Sequence, residues 1–174
     1  MVPIIARIAS KITGMKRFIR YIFFAASAVI LLSFDGCTDK KAVIDQNTAV
    51  PDHNWTYLNK FKYDVKIDDE NTAYNIYMNL RVTADYKYSN LFVLITQTGP
   101  DKKTKIKRYE LTLANKGGEW LGEGSGNLYT YQLPFLTNYK FPLKGTYSFY
   151  IEQNMRDNPL REVSDVGLRV EKVQ

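Results

Sequence analysis

The 174-residue chain holds one cysteine, Cys37, one histidine, His53, and only six prolines. A lone cysteine cannot close an intrachain disulfide, and a lone imidazole excludes zinc fingers and His-rich metal sites. Cys37 and His53 are the only Cys/His pair available, so metal and nucleophilic catalysis are poorly supplied from the outset. No hydrophobic run reaches the about 20 residues that a spanning helix needs. No repeat of 20 to 50 residues is evident, and beyond the first 36 residues no stretch carries the period of a long amphipathic helix. The length allows one ordinary domain with an appendage rather than two full domains.

Charge of one sign is also in short supply over most of the chain. Lys and Arg number 24 against 18 Asp and Glu, a formal net charge of +6. The excess sits mainly at the N-terminus: residues 1–36 carry Arg7, Lys11, Lys16, Arg17 and Arg20 against Asp35 alone. From Cys37 onward, 19 basic residues face 17 acidic ones. A nucleic-acid partner is therefore not expected, because such a partner needs a concentrated basic surface on the folded domain.

What is present begins with a targeting pattern. Lys16, Arg17 and Arg20 precede an uncharged run, YIFFAASAVILLSF, which ends at Asp35-Gly36-Cys37. This run suits a signal-peptide core and is short for a spanning helix. Residues 1–36 are read as the signal peptide, with Met15 as an alternative start. The sole cysteine follows the small residue Gly36 at the end of the apolar run, the arrangement of a bacterial lipoprotein signal. Its thiol is the nucleophile that accepts a diacylglyceryl group, and two or more acyl chains anchor stably where one is marginal. Cys37 is the expected lipidation site; the departures from the usual pattern are Phe34 and Asp35 just before it.

Residues 37–57, including TDKKAVIDQNTAVPDHNWT, are polar with little periodicity and read as a flexible linker. His53 near its end has no Ser or Cys motif beside it and reads as a solvated linker residue. From Lys60 onward the period is two. Phe61, Tyr63, Val65 and Ile67 alternate with polar residues, as do Tyr74, Ile76, Met78, Leu80 and Val82. Asn90–Gln97 is apolar on both faces, as a central strand between two packed layers would be. Ile106–Leu113, Leu128–Leu133, Thr146–Glu152 and Asp165–Glu171 supply further strands, with turn residues between. Seven to eight strands predict an all-β fold, an antiparallel β-sandwich over residues 58–174. A domain of roughly 115 residues buries about two-thirds of its unfolded surface, enough for a core without disulfides.

Candidates for chemistry each meet a simpler structural role. Asp68, Asp69 and Glu70 offer oxygens to calcium but lack EF-hand spacing, and read as a solvated hairpin tip. Lys102, Lys103, Lys105, Lys107 and Arg108 could meet phosphates or acidic glycans; lysines also guard a strand edge against aggregation. Gly122, Gly124 and Gly126 lack the following Lys-Ser/Thr and the helix of a phosphate loop. Asp64 and Glu110 are a carboxylate pair only if folding joins them. No catalytic residue, metal or cofactor beyond the covalent lipid is expected.

Tyrosine is in surplus: 12 of 13 tyrosines and both tryptophans lie beyond residue 36. Flat rings with a hydroxyl suit recognition of proteins and sugars alike. By strand phase Tyr77, Tyr129 and Tyr131 are expected at the surface, with Tyr86 and Tyr88 in a loop. These five are the candidate partner or glycan contacts.

The segments AYNIYMNLRVTADYKYSNLFVLI, EWLGEGSGNLYTYQLPF and FPLKGTYSFYIEQNMRDNPLREVSDVGLRVEK together resemble the GldH-type gliding-motility lipoproteins of the Bacteroidetes. The most specific parts are Tyr88–Phe92, Trp120–Gly122, Gly145–Tyr147, Gln153–Arg156 and Asp165–Arg169, over a match covering most of residues 52–172. The resemblance implies a non-enzymatic envelope lipoprotein, working with other envelope proteins of a motility machinery that overlaps a secretion system. A glycan-binding lipoprotein is the alternative. Thr38, which is not Asp, makes the periplasmic face of the outer membrane the expected location.

Overall fold

Strict alternation of apolar and polar residues suits sheets with one dry face, and the described residues form such sheets. A computed structural model describes residues 41–124 and 126–173; the expected signal segment and Cys37 lie outside the described residues. Lys40–Gln174 is one compact unit. Its strands are β1 (Ala42–Ala49), β2 (Asn54–Trp55), β3 (Phe61–Ile67), β4 (Ala73–Thr83), β5 (Asn90–Thr98), β6 (Thr104–Thr112), β7 (Leu128–Lys140), β8 (Gly145–Gln153), β9 (Leu160–Arg161) and β10 (Val163–Lys172). One short 3₁₀ turn, Pro51–His53, lies between β1 and β2.

The strands make two four-stranded antiparallel sheets, ordered β1-β10-β4-β7 and β3-β8-β5-β6, with a small β2-β9 pair. This is the expected sandwich. The inward residues of β3 and β4 are those the period of two picks out, and all are buried. Phe141 is an aromatic hub, with ring centroids 5.3 Å from Tyr74, 4.9 Å from Tyr139 and 4.6 Å from Tyr147. Burying each such ring contributes about 1.5–3 kcal/mol. Among the described residues no buried side-chain nitrogen or oxygen lacks a partner.

Three expectations need correction. Over its described part, from residue 41 onward, the linker reading of residues 37–57 fails, because β1 pairs with β10 from Ala42↔Glu171 to Ala49↔Asp165 and Trp55 is fully buried. β1 is an edge strand held mainly by backbone pairing, with only Val43 and Ile44 packed against the core, so its polar sequence shows little alternation. Domain packing therefore reaches back at least to Ala42 rather than starting at 58. Second, β5 is not sandwiched between two layers: Leu91, Val93 and Ile95 face the core while Phe92 and Leu94 lie half-buried on the outer face. The Arg108 guanidinium, 3.8 Å from the Phe92 ring centroid, covers part of that face. Third, β7 continues past Leu133 to Lys140, through two register shifts against β4 that break the alternation.

Candidate interaction surface

The five candidate tyrosines do not form one surface. Tyr86 and Tyr131, both 4% exposed, are core residues, which corrects the expectation that they are exposed. The Tyr86 hydroxyl donates to the Asn90 carbonyl at 3.2 Å and that of Tyr131 to the Leu113 carbonyl at 2.9 Å. Burial raises both phenols above their ordinary pKa. For Tyr131 the phase of β7 is the reason: its odd residues 129 and 131 turn inward, placing half-buried Tyr129 against Trp120 at 5.6 Å. Tyr88 is half-buried edge-on against Tyr86 and, with Lys87, holds the Asp157 carboxyl below its usual range. Tyr77 lies on the outer face of its sheet, as its phase requires, and donates to Glu171 at 2.9 Å. Tilts of 71°, 55° and 37° between successive rings of Tyr88, Tyr86, Trp120 and Tyr129 preclude a coplanar row.

The remaining candidates are also assigned to the fold. Asp69 accepts from the Asn71 N–H and the Thr72 hydroxyl, closing the β3–β4 turn. Asp64 and Glu110 lie on β3 and β6, the two outer strands of one sheet, and folding does not join them. Asp64 instead bonds Ser148 and Lys62, and Glu110 bonds Asn90. His53 is exposed in the 3₁₀ turn. Among the residues carrying the family resemblance, the buried Gln153 amide donates to the carbonyls of Trp55 and Asp157 and accepts from the Met155 N–H. Gly122 lies flat on Tyr131, leaving no room for a Cβ. These residues hold the fold in place.

The two long sides of the sandwich differ. On the β1/β3 side the sheets are joined by the Tyr63 hydroxyl, which donates to the Val166 carbonyl at 2.6 Å and contacts Thr48. On the β6/β7 side a recess runs between the sheets. Its wider part, about 350 Å³, is lined by Gln97, Tyr139, Pro142, Leu143 and Tyr147 with Asp101, Lys103 and Lys105 at the rim. Its continuation, about 140 Å³, reaches Ile95, Phe135, Leu136 and Phe149, with Lys105 and Lys107 above. Sequence alternation explains the lysines: Lys105 and Lys107 share the face of Tyr109 and Leu111 but lie nearer the hairpin tip, and both remain exposed. The Lys107 ammonium lies 4.8 Å from the Tyr109 ring centroid, and Lys103 holds the Asp101 carboxyl below its usual range. Burial raises the Tyr109 and Tyr147 phenols.

The two strands bordering the recess present different edges. Glu123 pairs with Thr130 of β7, so these backbone groups face away from β4; Pro134, in the same phase, has no N–H to offer. Two register shifts twist β7 further, a common protection of an edge. β6 has no such device. The Gly99 N–H bonds Lys103 and the Leu113 N–H bonds Ser89, at opposite ends of an unshifted register. Odd residues of β6 therefore bond β5, and the N–H and C=O groups of Thr104, Ile106, Arg108, Glu110 and Thr112 face outward. Ile106 beside them is 67% exposed. The lysine run signalled this edge in the sequence, but the recess did not show there, because Pro134 and the bulges hid the second half of β7.

The GldH lipoprotein family matches residues 42–170 of the chain. A protein named gliding motility lipoprotein GldH homolog, from Christiangramia forsetii, is 32% identical over 149 residues, covering 82% of this chain and 90% of the relative. The gliding motility lipoprotein GldH of Flavobacterium johnsoniae is 29% identical over 153 residues, covering 84% of this chain and 92% of the relative. No solved structure matches.

Proposed function

The chain belongs to the GldH lipoprotein family, and from that premise we propose that it is a lipid-anchored, non-enzymatic subunit that assembles or stabilises an envelope machine for motility or secretion. The observation that carries this reading is the open β6/β7 side, where an unpaired strand edge borders an apolar recess, as a subunit awaiting a protein neighbour would have. Support for a non-enzymatic role comes from the structural parts played by resemblance-bearing residues: Gln153 ties its loop to Trp55, Gly122 lets its segment lie on Tyr131, and Gly167 lets β1 pack closely on β10. Cys37 carries the lipid in this reading, and Thr38 after it favours the periplasmic face of the outer membrane. The glycan alternative calls for flat, parallel, exposed rings and draws no support from the tilted aromatic cluster.

The test is purification of the tagged protein from its own envelope in mild detergent, with mass spectrometry of bound proteins and Cys37→Ala as the unanchored control. Near-stoichiometric recovery of the same envelope proteins with wild type, and their reduction in the control, is the expected result. Recovery of the protein alone overturns the assembly reading.

A further inference from the structure

We propose that the free edge of β6 receives an extended, acidic segment of another envelope protein as an added strand, with alternate side chains of that segment seated in the recess. The inference rests on the assembly reading and deepens it by naming the chemistry of the partner.

Three independent features converge on this strand. The first is the backbone: five outward-facing residues on a nine-residue strand, in unbroken register with β5, offer a ladder of main-chain bonds, which is the source of affinity in strand addition. The second is the space beyond it. A strand added about 4.8 Å outside β6 lies over the open side, and every second residue points toward Phe135, Leu136 and Tyr139. The continuous recess supplies the pockets for these side chains that give strand addition its specificity. The third is charge. Residues 102–108 contain five cations and no acid. Asp101 pairs with Lys103 at 3.1 Å, while among the described residues Lys105 and Lys107 have no carboxylate partner.

Charge also selects among possible occupants. Lysines on an edge repel or desolvate against neutral strands, which protects the protein from indiscriminate pairing. The same lysines attract a strand bearing Asp or Glu, since opposite charges across neighbouring strands stabilise and like charges destabilise. A second copy would present the same cation-rich strand, so self-pairing adds repulsion.

The experiment compares full-length, lipidated wild type with Ile106→Pro and with the double variant Lys105→Glu/Lys107→Glu, each purified from its own envelope. The Ile106 N–H faces away from β5, so proline removes an edge donor without removing a β5–β6 bond. Melting temperatures close to wild type establish that both variants fold. The expected result is near-stoichiometric partner on wild type and at least a tenfold lower yield on either variant. Hydrogen exchange should slow at the outward amides of β6 in the complex, and carbodiimide should couple Lys105 or Lys107 to Asp or Glu of one contiguous partner segment. Partner retention at wild-type yield by both folded variants overturns strand addition while leaving the assembly reading in place. Wild type recovered alone overturns both.

Discussion

Two residues show how closely this sandwich is fitted. A Cβ on Gly122 would lie 2.6 Å from Cζ of Tyr131 and 2.9 Å from the carbonyl oxygen of Thr130. The ring is buried and the carbonyl belongs to the backbone, so neither can retreat cheaply. Gly122→Ala should destabilise the fold by about 1–3 kcal/mol, read as a lower denaturant midpoint with an unchanged slope. An unchanged midpoint would mean that the 120–124 segment does not pack on Tyr131. Glu171 is the electrostatic counterpart. Its carboxylate accepts two hydrogen bonds from the Arg169 guanidinium and another from Tyr77, and Arg169 is the main reason its pKa lies below the ordinary value. A carboxyl lowered in the folded state contributes stability that is present above its unfolded pKa of about 4.3 and is lost as pH falls through the lower folded value. Thermal melts from pH 6 to pH 3 should therefore fall less steeply for Glu171→Gln than for wild type. Parallel curves would show that this carboxylate is not linked to folding.

At the scale of elements, β1 is where sequence and structure part most clearly. A flexible tether could be deleted without cost. A strand paired along β10, carrying the Thr48 contact to Tyr63, cannot. Removal of Ala42–Ala49 exposes the β10 edge and uncovers the core beside Val43 and Ile44. The truncated protein should melt at a markedly lower temperature and associate with rising concentration on size exclusion. Wild-type melting would restore the tether reading. Strands such as β3, β4, β8 and β10 were legible because each buries one whole face, and burial writes itself into a period of two. β1 was not, since backbone pairing at an edge demands little of side chains. The same limit applies to the site. Lys105 and Lys107 were readable as guards of a strand edge, but the recess beneath them depends on Phe135, Leu136 and Tyr139. These lie beyond Leu133, where the period of two breaks at the register shifts of β7, and only tertiary register brings them opposite β6. Tyr131 failed for a related reason: phase within a strand can be counted, but which phase faces inward is decided by the opposing sheet. Tyr86 lies in the loop between β4 and β5, where no period marks a residue as buried.

For the whole molecule, the decisive quantity is what holds it at a membrane. From Cys37 onward the chain carries 19 basic and 17 acidic residues, a small surplus that includes the exposed lysines of the β5–β6 hairpin. Lysines close to an anionic bilayer each contribute about 1 kcal/mol, and that contribution falls away within a Debye length as salt is added. Acyl chains behave differently, because burial of hydrocarbon is insensitive to screening and two or more chains hold stably. The two contributions therefore separate under salt. Wild type should stay with membranes at low and at high ionic strength. Cys37→Ala should move to the soluble fraction, with any residual binding at low salt abolished at high salt. The variant also isolates the folded domain's own affinity for its partners. If Cys37→Ala remained on membranes in high salt, the anchor would have to lie elsewhere than at this thiol, and the signal peptide before it would need to be read as a retained segment.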